Sequence, residues 1–328
     1  MKRNIILKIV LFISPIIGYT QQQEQFSMYM ENNFLVNPAE GGTEEFIDLK
    51  MGYRTQWVDF DNTTSGHPQN VYVSGHAPIG KHESKDPNVE QRAFHGLGGA
   101  VISDRIGVFN IINAKVGYAY HLPVTKKLIL SLGAFGGIKQ FGLDRGKVKL
   151  ASDKGIDADP FANKIKTTLT PDVSLGVWGY ADNYYFGLAS FQLIESNIKL
   201  EDAASTSPGG LLKMHHWLTA GYKLNIDSAA HFFVVPSFVL KYVQSAPVTF
   251  DLNAKLRYEQ KYWLGVSYRQ KDAIVGMLGV TVKKVLDIAY AHDFTLSKVN
   301  EFSTATHEVI LGLRIPNHQH KVPPAQFW

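Results

Sequence analysis

Among the residues able to do chemistry, the densest group is Asp153, Asp157 and Asp159, three carboxylates in a polar stretch that could bind calcium. Their spacing is not that of an EF-hand loop, and a solvated outer loop is the better account of them. His215 and His216 are adjacent, so a strand would send them to opposite faces. His318 and His320 could share a metal, yet they lie in a short polar tail. Gly96-Leu97-Gly98-Gly99 lacks the spacing of a dinucleotide fingerprint, and glycines within a strand mark close packing or a bulge. The chain has no Gly-x-Ser-x-Gly, no His-Glu-x-x-His and no P-loop. It has no cysteine, which excludes disulfides, thiol catalysis, cysteine-bound metals and a lipidated cysteine. The expectation is a protein that is not an enzyme, with no cofactor and no metal.

A second pattern is more regular. Over 47–57, Asp48, Lys50, Arg54 and Gln56 alternate with Ile47, Leu49, Met51, Tyr53 and Trp57. Over 250–259, Asp251, Asn253, Lys255, Arg257 and Glu259 alternate with Phe250, Leu252, Ala254, Leu256 and Tyr258. Asn113, Lys115, Gly117 and His121 likewise oppose Ile112, Ala114, Val116, Tyr118 and Tyr120. A period of two puts each set on one side of a pleated sheet. The polar face, which also takes in Arg269, Glu308 and Arg314, carries both signs of charge. It reads as an internal ion-pair network, with Asp48, Lys50, Arg54, Asp251, Lys255, Arg257, Glu259 and Arg269 as its members. A pore selective for one sign of ion would need a bias that is not visible here.

The elements that hold such a network must be strands with an apolar outer face. The segments run to about 10 residues, the length a tilted strand needs to cross a bilayer. Aromatics fall near segment ends, at Tyr53 and Trp57, Tyr118 and Tyr120, and Tyr258 and Tyr262, where interfacial girdles lie. After Thr20 no stretch of about 20 apolar residues occurs, so no helix is available to span a membrane. The fold expected is all-β, a transmembrane antiparallel outer-membrane barrel of about 14 strands. These are placed at 47–57, 69–79, 95–104, 109–121, 127–142, 169–180, 184–193, 213–224, 231–243, 250–260, 262–271, 273–282, 286–293 and 308–315.

Four parts follow. Residues 1–20, with basic Lys2 and Arg3 before an apolar run, read as a signal peptide cleaved near Thr20. Residues 21–46 are either a periplasmic tether or a plug folded into the lumen. Residues 47–315 form the barrel, and 316–328 a C-terminal tail. Both termini belong in the periplasm, which puts the long polar connections 58–68, 143–168, 194–212 and 294–307 outside. Connection 80–94 is long and polar on the periplasmic side, against that rule. The formal net charge of +4 is scattered, which excludes a nucleic-acid stripe.

The segment Gln25-Phe26-Ser27-Met28-Tyr29-Met30, then Asn37-Pro38-Ala39 with Gly42, then Tyr53-Arg54-Thr55-Gln56-Trp57, resembles the N-terminal signature of the PorP/SprF family. Gly96 to Gly99, Asp104, Gly107 and Tyr118 to His121 resemble it further on. Glu40 departs from the family pattern, which favours an aromatic or small residue there, and the tail to Phe327-Trp328 extends past the usual end. The resemblance implies a Bacteroidota outer-membrane protein of type IX secretion and gliding motility. Its implied partners are the C-terminal domain of a type IX secreted surface adhesin, the periplasmic type IX machinery or a peptidoglycan-binding lipoprotein, and outer-membrane lipid. A FadL-like transporter of hydrophobic small molecules is the alternative, though it would want a Gly/Ala-rich plug where this chain is Gln- and aromatic-rich. A general porin would want a one-sign constriction.

Overall fold

In a computed structural model the described residues are 24–58, 67–80, 92–144, 167–198, 210–229, 231–244, 246–297 and 305–316. Asp153, Asp157, Asp159, His318, His320, the expected signal peptide and nearly all of the C-terminal tail lie outside them. The alternating residues form β1 (Phe46–Val58), β2 (Gln69–Ile79), β3 (Phe94–Ile106), β4 (Phe109–Pro123), β5 (Ile129–Leu143), β6 (Thr168–Tyr180) and β7 (Tyr184–Phe191). They continue as β8 (His215–Tyr222, carried on by Leu224–Asp227), β9 (Phe232–Val243), β10 (Thr249–Tyr258), β11 (Tyr262–Arg269), β12 (Ala273–Val282), β13 (Leu286–Thr295) and β14 (Ala305–Pro316).

Each strand pairs antiparallel with its neighbours in sequence. The sheet closes where β1 meets β14, from Phe46 opposite Pro316 to Val58 opposite Ala305. The result is a closed barrel of fourteen strands, as the alternation predicts, and closure leaves no unpaired edge in lipid. No helix among the described residues is long and apolar enough to cross a membrane.

Side-chain alternation sorts the two faces. Leu49, Met51, Val73, Val101, Leu132, Leu175, Leu188, Leu264 and Leu278 are exposed on the outside, an apolar band fit for acyl chains. At the rim shared with the termini, Tyr258 pairs with Tyr262 and Tyr222 with Tyr184, all exposed, giving one aromatic girdle. Tyr242, Tyr268 and Phe294 lie exposed toward the opposite rim.

Connections on the side of the termini include tight reversals. At Tyr258–Lys261 the Lys261 amide donates to the Tyr258 carbonyl, and Glu259 and Gln260 take φ of 49° and 52°. Positive φ at both central residues gives the turn a twist that matches the strands. The end of β2 and the start of β3, which 80–93 joins, lie on this same side, so the strand count holds there.

Candidate functional site

The barrel interior is occupied by residues 24–45. A 3-10 turn (Tyr29–Glu31), one helical turn (Asn33–Val36) and a second 3-10 turn (Pro38–Glu40) compact the segment, and nearly all of its residues are buried. It rises from the periplasmic rim at β1 to the outer half of the lumen, where the Lys139 ammonium lies 3.0 Å from the Glu24 carboxylate.

Its lower part packs on a wall of glycines. Asn37 anchors it: Nδ2 donates to the carbonyls of Val177 (3.0 Å) and Leu188 (3.3 Å), and Oδ1 accepts from the Ala39 amide (3.0 Å). Pro38 begins the 3-10 turn. A side chain on the wall would collide with this backbone. A Cβ at Gly96 would sit 1.8 Å from the Gly41 carbonyl oxygen, and one at Gly133 2.4 Å from the Ala39 nitrogen. At Gly176 it would lie 2.1 Å from Asn37 Oδ1. Gly42, at φ of 90°, turns the chain out toward β1, and its amide donates to His76 Nδ1 (3.1 Å). His121 Nε2 donates to the Gly41 carbonyl (2.9 Å).

His76 accepts at Nδ1, so its Nε2 carries a proton toward Glu40 (3.5 Å) and Asp48 (3.7 Å). Lys50 contacts Asp48, and Arg314 pairs with Asp287 at 2.5 Å on the same lower level. Thr43 Oγ1 donates to Glu40 (3.1 Å). Burial pushes the Glu40 carboxyl well above the usual carboxylate range, against the pull of Lys50 and with the help of Glu44 and Asp48.

The upper part of the segment meets charges instead. Lys255 pairs with Glu31 at 2.6 Å, and Asn253 bonds the Tyr29 hydroxyl. Arg54 Nη1 donates to the Gln25 carbonyl (2.7 Å). The Ser27 amide donates to Glu308 (2.6 Å) and its hydroxyl to Asp293 (2.7 Å). Arg54 reaches Asp293 at 3.2 Å, Arg269 reaches Asp293 at 3.3 Å, and Lys241 reaches Asp251 at 2.7 Å. Beside Gln25 this network borders a cavity of about 290 Å³ toward the outer rim, lined by Arg54, Lys241, Asp251, Arg269 and Asp293 among others. Phe26, Met28, Tyr29, Met30, Leu35 and Val36 fill the apolar centre with Tyr72, Trp217, Trp263 and Met277 of the wall.

Seven of the eight residues read as the lumen network do face inward. Asp48, Arg54, Asp251, Lys255, Arg257 and Arg269 are buried, and Lys50 is nearly so. Arg257 donates toward the Gln260 carbonyl and Thr281. Glu259 is the exception: β10 ends at Tyr258, and Glu259 sits exposed in the reversal. The period of two carries no information past a strand's end, where the turn sets the direction.

The resemblance residues divide by role. Asn37, Pro38, Ala39 and Gly42 belong to the segment and Arg54 grips it. Gln56 bonds Asn70 (2.8 Å), while Trp57, at φ of 54° in the bulge between Thr55 and Val58, borders the cavity. Tyr53 points outward to lipid. Glu24, Glu31, Lys139, Lys241 and Asp293 were missed. For Lys241 and Asp293 the inward phase of β9 and β13 was the available signal; for the glutamates none existed without knowing where the segment goes.

Comparison with solved structures finds outer-membrane barrels. A Pseudomonas aeruginosa FadL homologue matches with a TM-score of 0.51 and 10% identity, over 86% of this chain and 93% of that one. CymD, a monoaromatic hydrocarbon channel, matches with a TM-score of 0.50 and 13% identity, over 88% and 93%. At such identity the likeness concerns the fold alone. Comparison with curated proteins gives no match. Residues 19–313 match the family described as type IX secretion system membrane protein PorP/SprF. A closed barrel with an apolar belt, matched over nearly its whole length by that description, is an outer-membrane protein, and the chain belongs to the PorP/SprF family of the type IX secretion system.

Proposed function

We propose that this barrel holds the C-terminal domain of a type IX secreted surface adhesin at its outer rim and meets the periplasmic machinery, or a peptidoglycan-binding lipoprotein, at its inner one. The observation that carries this reading is the lumen filled by the chain's own segment, which touches β2, β4, β5, β6, β7, β10, β13 and β14. A barrel filled in this way offers its rims for binding, and binding residues concentrate on loops set on a rigid scaffold. The long connections 144–167 and 192–214 join strand ends on the side opposite the termini, and 80–93 joins strand ends on the side the termini share. The family's place in type IX secretion supplies the cargo class. No catalytic step belongs to this proposal.

A transporter of hydrophobic small molecules has the shared fold in its favour. The cavity beside Gln25, however, is lined by Arg54, Lys241, Asp251, Arg269 and Asp293, unlike the mostly apolar lining of such sites.

The test is a mild-detergent pulldown of the tagged barrel from its native outer membrane, read by mass spectrometry. Recovery of a very large surface protein supports adhesin docking. Recovery of periplasmic components alone moves the role to the core machinery. A barrel isolated alone with bound lipid or fatty acid overturns the docking reading.

A further inference from the structure

We infer that Arg54, Glu308 and Asp293 form a binding site for the main chain of a peptide, filled here by the chain's own Gln25–Ser27, and that a peptide arriving from the outer side competes for it. The contacts are with backbone. Arg54 donates to the carbonyl of Gln25, and Glu308 accepts from the amide of Ser27. The carbonyl of Gln25 and the amide of Ser27, two residues on, both turn to the seam of β1 and β14, as the carbonyl and amide of alternate residues do toward a neighbouring strand. Arg54 and Glu308 sit directly opposite each other on β1 and β14, so the pair imitates one hydrogen-bonding step of a strand edge. Two side chains add to this: the Ser27 hydroxyl on Asp293, and the Phe26 ring on that of Tyr72, 4.9 Å between centroids.

The site has capacity in reserve. Arg54 Nε, Glu308 Oε1 and Asp293 Oδ1 are buried without hydrogen-bond partners, as are Asp251 Oδ1 and Gln270 Oε1 next to them. One unpartnered donor beside four acceptors suits a polypeptide, whose amides donate and whose carbonyls accept, better than an anion. The cavity of about 290 Å³ adjoins Arg54, Asp251, Gln270 and Asp293, reaches the short reversal 270–272 and gives an entering chain room. The exchange resembles strand addition in that main-chain bonds supply much of the affinity. It rests on the docking reading only for the source of the peptide.

The absence of cysteine makes the test clean. Ser27 and Met28 are buried, so in the purified full-length barrel S27C and M28C should react slowly with a bulky maleimide. Adding the pentapeptide Gln-Phe-Ser-Met-Tyr, or the same residues in reverse order, should raise both rates at least tenfold. Arg54→Met should raise them without peptide. A barrel lacking residues 24–28 should bind the labelled pentapeptide saturably, and Glu308→Gln should weaken that binding at least tenfold. If S27C and M28C stay unreactive at every peptide concentration, the segment is a permanent part of the wall and the inference is wrong. No adhesin enters this assay, so its failure leaves the pulldown result standing, and the reverse holds too.

Discussion

The lumen grips one segment with two unlike surfaces. On the lower side, β3, β5 and β6 present Gly96, Gly133 and Gly176, and the segment's backbone or the Asn37 side chain lies where their side chains would be. On the upper side, β1, β10, β11, β13 and β14 present Arg54, Asp251, Lys255, Arg269, Asp293 and Glu308. The glycine wall works by shape. It tolerates one backbone path, and its directional anchors are few, chiefly Asn37 and the His121 bond to the Gly41 carbonyl. The charged wall works by compensation: each ion is desolvated and depends on partners, and some atoms stay unmet. A shape-based grip is hard to loosen by degrees. A grip built on exchangeable hydrogen bonds can be handed to another chain.

That contrast can be broken from either side. The largest effect belongs to Arg54→Ala, which strips Asp293 and Glu308 of their shared cation and should cost about 3–5 kcal/mol in chemical unfolding of the detergent-solubilised barrel. The double variant Arg54→Met with Glu308→Met should lose less than Arg54→Ala alone. If it loses more, the charged wall is not acting by compensation. Next is Gly96→Ala, whose methyl group meets the Gly41 carbonyl; about 1–3 kcal/mol is expected, with residues 24–45 becoming open to protease. An unchanged digestion pattern would remove the shape argument.

Glu40 lies where the segment passes between the two surfaces, and its effect depends on pH. Its folded-state pKa is raised, so its contribution to stability is fully present below the ordinary value of 4.5 and is lost as pH rises above it. Glu40→Gln imitates the protonated form. Its melting temperature should therefore fall less steeply than that of the parent between pH 4.5 and neutrality. Smallest is Glu259→Gln, in the exposed reversal, which should stay within about 0.5 kcal/mol of the parent. A larger loss would place Glu259 back in the network.

Much of the barrel could be read from the chain because a strand buried on one face writes its fold as a period of two. Asp48, Lys50 and Arg54 against Leu49, Met51 and Tyr53 need no tertiary knowledge to interpret. The fate of residues 24–45 was not legible, since Phe26, Met28 and Leu35 suit any apolar surroundings and no local rule says which. The clue lay far away, in Gly133 and Gly176, whose missing side chains make sense only with Ala39 and Asn37 beside them. Glu24 and Glu31 were hidden for the same reason: their partners Lys139 and Lys255 lie more than a hundred residues off in sequence.

The seam between β1 and β14 has a further meaning for biogenesis. It joins the first strand made to the last, and Arg54 and Glu308 face each other across it. Ser27 binds Glu308 on one side of that joint, and Gln25 binds Arg54 on the other. A newly made chain therefore carries, at its leading end, the piece that bridges its own final closure. Sealing the cylinder without this piece would bury the two ions with fewer partners. The early residues thus act as a clasp laid across the joint between the first and last strands, and the closed seam and the seated segment support one another.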